Sequence, residues 1–260
     1  MNVGLLFDLE RIRREALLTE VEHHVELAST NDRALARGAE DAPPLPLLVL
    51  ADRQRAGRGR GTNRWWSDAG ALTFSVLAAQ PRVAPALRPQ IALVAGLAVA
   101  RAIGELLPAS DPLLKWPNDV YVAGRKACGI LVEVPPRHGE RVVIGIGVNV
   151  NNSFAAAPGD LERIGVALCD VPGGELPLTD VLLAVLARLR EELDRFAEQP
   201  ARLAERWRER CLLTGRFVEL VAGERTIRGI CAGIDDEGAL VLHTEAGPQR
   251  FIAGTVARFE

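Results

Sequence analysis

The pattern of this chain changes abruptly at Cys211, and no single layer of secondary structure accommodates both parts. Residues 216–221, 225–234, 239–243, 249–252 and 256–259 are short strand-like runs joined by tight turns such as Asp236-Glu237-Gly238. Five short strands in under fifty residues predict a small β-barrel. Upstream, strand runs alternate with long helical patterns. A mixed α+β domain over residues 1–212, followed by a small all-β domain over 213–260, is therefore expected rather than one continuous fold.

Within the first part, residues 178–196 and 201–210 read as amphipathic helices. Residues 85–107 form the longest helical pattern, with Pro89 tolerated only in its first turn. Strands are expected at 25–27, 45–51, 72–78, 113–116, 120–122, 127–134 and 142–150. Ser29-Thr30-Asn31 can cap a helix that begins near Asp32. The turn at Ala123-Gly124-Arg125 makes its flanking strands hairpin-like. Gly145 and Gly147, inside a strand, mark the close approach of another backbone or of a ligand. Residues 1–20 read as an amphipathic helix or a lead-in segment.

Composition excludes several classes. With 260 residues, 48% hydrophobic and 25% charged, the chain falls in the ordinary globular range. A formal net charge of -3 gives no reason to expect nonspecific nucleic-acid binding. No run approaches the roughly 18 unbroken apolar residues of a membrane helix; the richest, 91–100, ends at Arg101. The first twenty residues mix acids and arginines into their leucines, unlike a signal or transit peptide. No membrane association and cytoplasmic residence are the expectations. Cys128, Cys169, Cys211 and Cys231 are widely spaced, which suits free thiols in a reducing compartment rather than a zinc site or disulfide framework. His23 and His24 are adjacent, so they cannot face one metal from a regular element; a helix surface or strand edge accommodates them.

Of 31 basic residues only two are lysines, Lys115 and Lys126, flanking the only tyrosine, Tyr121. A lysine is a compact, mobile point charge, whereas arginine is a fixed planar fork that needs room. A confined phosphate or carboxylate favours the former, although two residues can also fall together by chance. Between Asp52 and Trp65 the chain carries five arginines interleaved with Gly57, Gly59 and Gly61, and no acid after Asp52. Such a loop can bring its backbone close to an anion, and the entropy its glycines lose predicts mobility until a ligand binds. Its placement between two apolar strands, with Trp65 and Trp66 following, favours an active-site loop over an RNA-binding tract. Lys115-Trp116-Pro117-Asn118-Asp119 is a turn fixed by Pro117 and by local Asn and Asp hydrogen bonding. Together with Gly124-Arg125-Lys126, 129–133 and 145–150, it puts polar groups at the ends of apolar strands, where ligand pockets are built.

In order and rough spacing, Ser29-Thr30-Asn31, Gln54 with Gly57-Arg58-Gly59-Arg60, Lys115-Trp116-Pro117-Asn118-Asp119, Lys126 with Gly129-Ile130-Leu131, and Gly147-Val148-Asn149 resemble the blocks of biotin protein ligases. The resemblance implies an α+β catalytic domain with a mixed or antiparallel sheet and helices, of the class II aminoacyl-tRNA synthetase and biotin ligase type. It also implies a C-terminal SH3-like barrel. Only twenty-odd residues precede the first block, so the chain resembles the monofunctional type without the DNA-binding domain of some members; no DNA partner is expected. The implied reaction is attack of the biotin carboxylate on the α-phosphate of ATP to give biotinyl-5'-AMP. The lysine of a biotin carboxyl carrier domain then takes the biotinyl group. A homodimer is allowed.

By the same resemblance, Ser29, Thr30, Asn31 and Gln54 bind biotin, with Gly57, Gly59, Gly129 and Leu131 in its pocket. Arg58 and Arg60 close over the adenylate and phosphates, and Lys126 bridges the biotin carboxylate and the α-phosphate; these three are the expected catalytic groups. Trp65, Lys115, Asn118, Asp119 and Asn149 are expected at ATP. Mg²⁺ is expected on the substrate phosphates, its protein ligands left open with Asp119 the named candidate. A lipoate ligase would use similar chemistry, but the arginine–glycine loop and the 115–119 turn favour biotin. A biotin carrier would show a Met-Lys-Met hairpin, and the only methionine is Met1.

Overall fold

The computed structural model describes residues 6–155, 157–171 and 173–260. Its larger part is a seven-stranded sheet built from β1 (Glu20–Leu27), β2 (Leu47–Gln54), β3 (Ala71–Ala79), β4 (Leu113–Lys115), β5 (Asp119–Val122), β6 (Arg125–Glu133) and β7 (Arg141–Asn149), in the order β1-β2-β3-β7-β6-β5-β4. β1 and β2 run parallel, and every other pair is antiparallel. The parallel pair needs a crossover, which α2 (Thr30–Gly38) supplies. Around the sheet lie α1 (Leu9–Glu15), α3 (Ile91–Leu106), α4 (Leu161–Ile164), α5 (Leu178–Glu198) and α6 (Leu203–Arg208). α3 and α5 pack together on one face of the sheet. α2 covers part of the other through Ala34, Leu47, Val49, Leu77 and Val143. All nine residues of β7 are buried, which is why it reads as an unbroken apolar run rather than an alternating one.

The second part is a five-stranded antiparallel sheet of β8 (Phe217–Ala222), β9 (Arg225–Ile234), β10 (Leu240–Thr244), β11 (Gly247–Phe251) and β12 (Thr255–Phe259), ordered β11-β10-β9-β8-β12. Its apolar face, including Val218, Leu220 and Leu240, joins the same core as α3 and β4. Polar links reinforce the junction: Trp116 Nε1 donates to Gly238 O at 3.0 Å, Gln90 Nε2 to Glu237 O at 2.9 Å, and Lys115 Nζ to Val256 O at 3.2 Å. The small sheet is thereby held against the 115–119 turn.

Four elements differ from their sequence-based expectation. β1 begins at Glu20, not residue 25, because its backbone pairs with β2 over its whole length while its polar side chains hide the strand period. The same pairing draws Asp52, Arg53 and Gln54 out of the expected loop into β2. His23 and His24 lie on this edge strand, as one of the two readings required, and His23 Nε2 sits 2.7 Å from Asp52 Oδ1. Pro85–Gln90 forms a 3-10 turn that contains Pro89, and α3 begins only at Ile91, so the 21-residue α5 is the longest helix. A short 3-10 turn, Pro200–Arg202, likewise precedes α6. Pro85–Leu106 has the length and composition to cross a membrane, contrary to the reading of unbroken runs, but two-thirds of its most apolar stretch is buried inside the fold. Glu192 of α5 is fully buried and bonded to Arg101 of α3 and Arg206 of α6, a carboxylate tying three helices together.

Candidate functional site

One cavity of about 130 Å³ collects most of the sequence blocks. Its walls come from the start of α2, the end of β2, the arginine–glycine loop, the 115–119 turn, β6 and β7, and Thr255 and Val256 of β12. The hairpin of β5 and β6 turns through Ala123 and Gly124, both at positive φ (49° and 75°), the backbone that a tight two-residue turn demands. Its register shifts between Val120 and Tyr121, leaving Ala127 without a partner next to Lys126. Bulges of this kind re-aim a neighbouring side chain.

Charge is concentrated at one end. Lys126 Nζ lies 2.6 Å from Asp119 Oδ1, and Asp119 is the only carboxylate among the residues lining the cavity. Lys115 and Arg60 line the same end. Burial pushes the Lys115 amine below its usual value; Asp119 pulls it back up, while Lys126 and Arg60 push it further down. Burial also lowers Arg60 from its ordinary value against the attraction of Asp119. Three cations therefore share one carboxylate in a partly desolvated space, an arrangement that an entering anion relieves.

The other end is a hydrogen-bonded set of neutral groups. Ser29 caps α2, accepting from Asp32 N at 3.4 Å. Thr30 N donates to Gln54 Oε1 at 2.7 Å, and Thr30 Oγ1 lies 3.2 Å from it. The Ser75 hydroxyl donates to Asn31 Oδ1 at 2.6 Å and lies 2.8 Å from Thr30 Oγ1. Asn31 Nδ2 in turn donates to Leu131 O and to Glu133 Oε2. A Cβ at Gly145 would strike the Asn31 carboxamide, and one at Gly147 would strike the Trp65 ring. A close approach exists at both glycines, but these two side chains make it rather than the backbone or ligand expected.

The loop expected to be mobile is folded as a small hairpin. Arg58 and Arg64 form a bridge, Gly59 N donates to Asn63 O at 2.8 Å, and Trp65 N donates to Gly57 O at 2.9 Å. Arg58 makes a two-pronged pair with Glu133 and a further contact with Asp32, which together raise it above its ordinary value. Arg60 reaches across to Gly254 O and Thr255 of the small sheet. The Trp65 ring packs over Gly129 and Gly147, and its buried indole N–H has no protein partner. Ligand pockets usually enclose about 300–1,000 Å³, so a cavity of 130 Å³ admits a substrate only if Trp65 and the loop shift.

Most expected site residues converge here: Ser29, Thr30, Asn31, Gln54, Arg58, Gly59, Arg60, Trp65, Lys115, Asn118, Asp119, Lys126, Gly129 and Leu131 all line the cavity. Gly57 and Asn149 do not. Gly57 carries the hairpin bond to Trp65, and the Asn149 amide donates to Lys126 O at 3.3 Å behind the bulge. The Asn118 amide is likewise engaged, on Ile130 O at 2.6 Å. Tyr121 packs edge-on against Phe259, and Cys128 is fully buried, so both are packing groups. Sequence reasoning missed Ser75, Glu133, Asp32, Thr255 and Val256 as parts of the site. A serine inside an apolar strand carries no signal, and β12 meets the pocket only through tertiary folding. Among the described residues no group of three or more His, Cys, Asp or Glu side chains could hold a metal ion.

Comparison with known proteins adds an independent line. Residues 26–151 match the Biotin/lipoate A/B protein ligase family, and residues 214–258 match the Biotin protein ligase C terminal domain. The chain is 30% identical over 250 residues to the bifunctional ligase/repressor BirA of Bacillus subtilis (strain 168), covering 94% of this chain and 76% of that protein. It is 33% identical over 218 residues to the biotin (acetyl-CoA-carboxylase) ligase of Mycobacterium tuberculosis, covering 82% and 79%. The solved biotin protein ligase from Aquifex aeolicus in complex with biotin and ATP superimposes with a TM-score of 0.79 at 31% identity, covering 93% of this chain and 97% of that one.

Proposed function

This chain belongs to the biotin protein ligase family, and we propose that it activates biotin with ATP as biotinyl-5'-AMP and transfers it to the lysine of a biotin carboxyl carrier domain. The observation that carries this function is the division of one cavity into a neutral hydrogen-bonding end and a cationic end with three cations to one carboxylate. The neutral end, with Ser29, Thr30, Gln54, Gly129 and Leu131, suits the ureido ring. The cationic end suits the carboxylate and phosphates.

In the first step the biotin carboxylate attacks the α-phosphorus and pyrophosphate leaves. The two reacting groups are both anions, so the barrier is lowered mainly by holding them together and neutralising their charge. Lys126 sits where one mobile ammonium can touch both, with Asp119 holding it in place until they arrive. Arg60, Arg58 and Lys115 take the phosphates, and Trp65 covers the intermediate. In the second step the carrier amine attacks the anhydride carbonyl and AMP leaves; no protein nucleophile is required. Mg²⁺ would neutralise phosphate charge. Because Asp119 is the single pocket carboxylate, the residues fit an ion held mostly by ATP oxygens with at most this one side chain. Residues 1–212 form the catalytic part and 213–260 supply the wall that Arg60 grips.

Retention of the intermediate tests the pocket directly. With labelled biotin and MgATP but no carrier, the wild-type protein should hold labelled adenylate. Arg60→Gly, which cuts the tie to Gly254 and Thr255, should release it and label bystander lysines at least about tenfold more, the effect of losing one charge-assisted contact. No adenylate on the wild type would end the activating role, and unchanged bystander labelling would end the lid role of Arg60.

A further inference from the structure

Given the biotin-activating function proposed for this pocket, we propose that Glu133 is a positioning residue that couples closure of the arginine–glycine loop to the ring-binding end of the pocket. Glu133 closes β6, outside the reacting end. Its two oxygens accept from Arg58 Nη1 at 3.0 Å and Nη2 at 2.6 Å. The same Oε2 accepts from Asn31 Nδ2 at 2.8 Å. One carboxylate thus joins a loop arginine to a buried amide of α2.

From Asn31 the connection continues inward. Asn31 is 4% exposed, its Oδ1 accepts from Ser75, and the Ser75 hydroxyl lies beside Thr30, whose N–H holds Gln54. Every contact is 3.2 Å or less; the Thr30 N–H alone holds Gln54, which frees the single Thr30 hydroxyl proton for Ser75 while Ser75 donates to Asn31. A ligand that fixes Thr30 and Gln54 fixes the first turn of α2, and with it Asn31, Glu133 and the Arg58 fork. The loop is then ordered over the pocket before the phosphates arrive. An ordinary surface ion pair contributes little. Here the pairing is two-pronged and one of its oxygens is shared with a buried donor, the geometry that makes such contacts directional. Asp32 also touches Arg58, at 2.8 Å, but it is about half exposed and makes no bridge to the pocket floor.

The loop carries its own reporter, because trypsin cuts after arginine and Arg53, Arg55, Arg58, Arg60 and Arg64 all lie within or beside it. In Glu133→Gln the loop should be cut about tenfold faster than in the wild type, the change expected when one charge-assisted pair is lost. Biotin should protect the wild-type loop and protect the variant much less. Arg58→Ala should behave the same way at the remaining arginines, and the double variant should be no faster than Arg58→Ala alone, since that change already breaks the Glu133 pair. In Glu133→Gln adenylate escape should rise in parallel, with the rate of pyrophosphate formation within about twofold of wild type. Equal cutting with and without the Glu133 carboxylate, or effects that multiply in the double variant, would overturn the coupling. General digestion outside the loop would mark an unfolded Glu133→Gln, in which case Arg58→Ala alone decides by the same comparison. A trypsin effect without any adenylate on the wild type would keep the coupling and discard the biotin-activating function.

Discussion

Replacing Lys126 by alanine should slow formation of biotinyl-5'-AMP by roughly 10²–10³-fold, the usual loss when a preorganised charge-stabilising group is removed. Biotin binding should fall by no more than about tenfold, because the ring is held at the far end by Thr30 and Gln54 and only the carboxylate loses its partner. Two effects combine in the rate. The cationic end drops from three positive groups to two, and Asp119, 2.6 Å from the lost ammonium, is left facing the incoming phosphates. Lys126→Arg should restore little of the rate, since a planar fork needs more room than a compact ammonium and cannot reorient between two anions. Single-turnover pyrophosphate release beside a biotin titration separates the terms. Equal losses in rate and binding would reduce Lys126 to a binding group.

The second large effect concerns stability. Glu192 is 1% exposed and bonded to Arg101 and Arg206. Glu192→Ala removes the buried member of the cluster and leaves the partly exposed Arg101 and Arg206 guanidinium groups without their shared partner, a change whose upper range is about 3–5 kcal/mol, the cost of breaking a fully buried pair. For a chain of this size that corresponds to a melting point lower by roughly 6–20 °C. Burial by itself pushes the Glu192 carboxyl up, but the hydrogen bonds and charges of Arg206 and Arg101 outweigh it and leave the group below its ordinary value. Its folded value is thus lower than its unfolded one. The stability it adds is fully present above the unfolded carboxylate value, about 4.3, and is lost as pH falls through the folded value. The gap between the wild type and Glu192→Gln should therefore be constant near neutrality and narrow only in acid. A melting point for Glu192→Ala within about 2 °C of wild type would show that the cluster holds nothing together.

The sequence made the framework legible wherever a side chain and its backbone obeyed the same rule. β3 and β7 are apolar because they are covered, and the five C-terminal strands announce themselves through their turns. Residues 20–24 obey no such rule: Glu20, Glu22, His23 and His24 lie on an edge strand whose order comes from pairing with β2, which leaves no mark on composition. The site divides in the same way. Ser29 is legible as a cap, although α2 begins at Thr30 rather than near Asp32 and takes Thr30 and Asn31 into its first turn; the two lysines are legible as exceptions in an arginine-rich chain. Gly145 and Gly147 predicted a close approach without saying that Asn31 and Trp65 would make it. Ser75 and Glu133 become meaningful only through the partners that β3 and β6 bring to them. The grip of Arg60 on Gly254, 194 positions away, is a product of tertiary docking alone.

The most direct test of the proposed function is transfer itself. Labelled biotin, MgATP and a biotin carboxyl carrier domain, incubated with the intact protein, should give label on the carrier lysine, with AMP and pyrophosphate released in equal amounts. Omitting ATP, or replacing the carrier lysine, should abolish the label, and lipoate should not substitute for biotin. Absence of label from biotin, with lipoate transferred in its place, would contradict the assignment of this pocket to biotin.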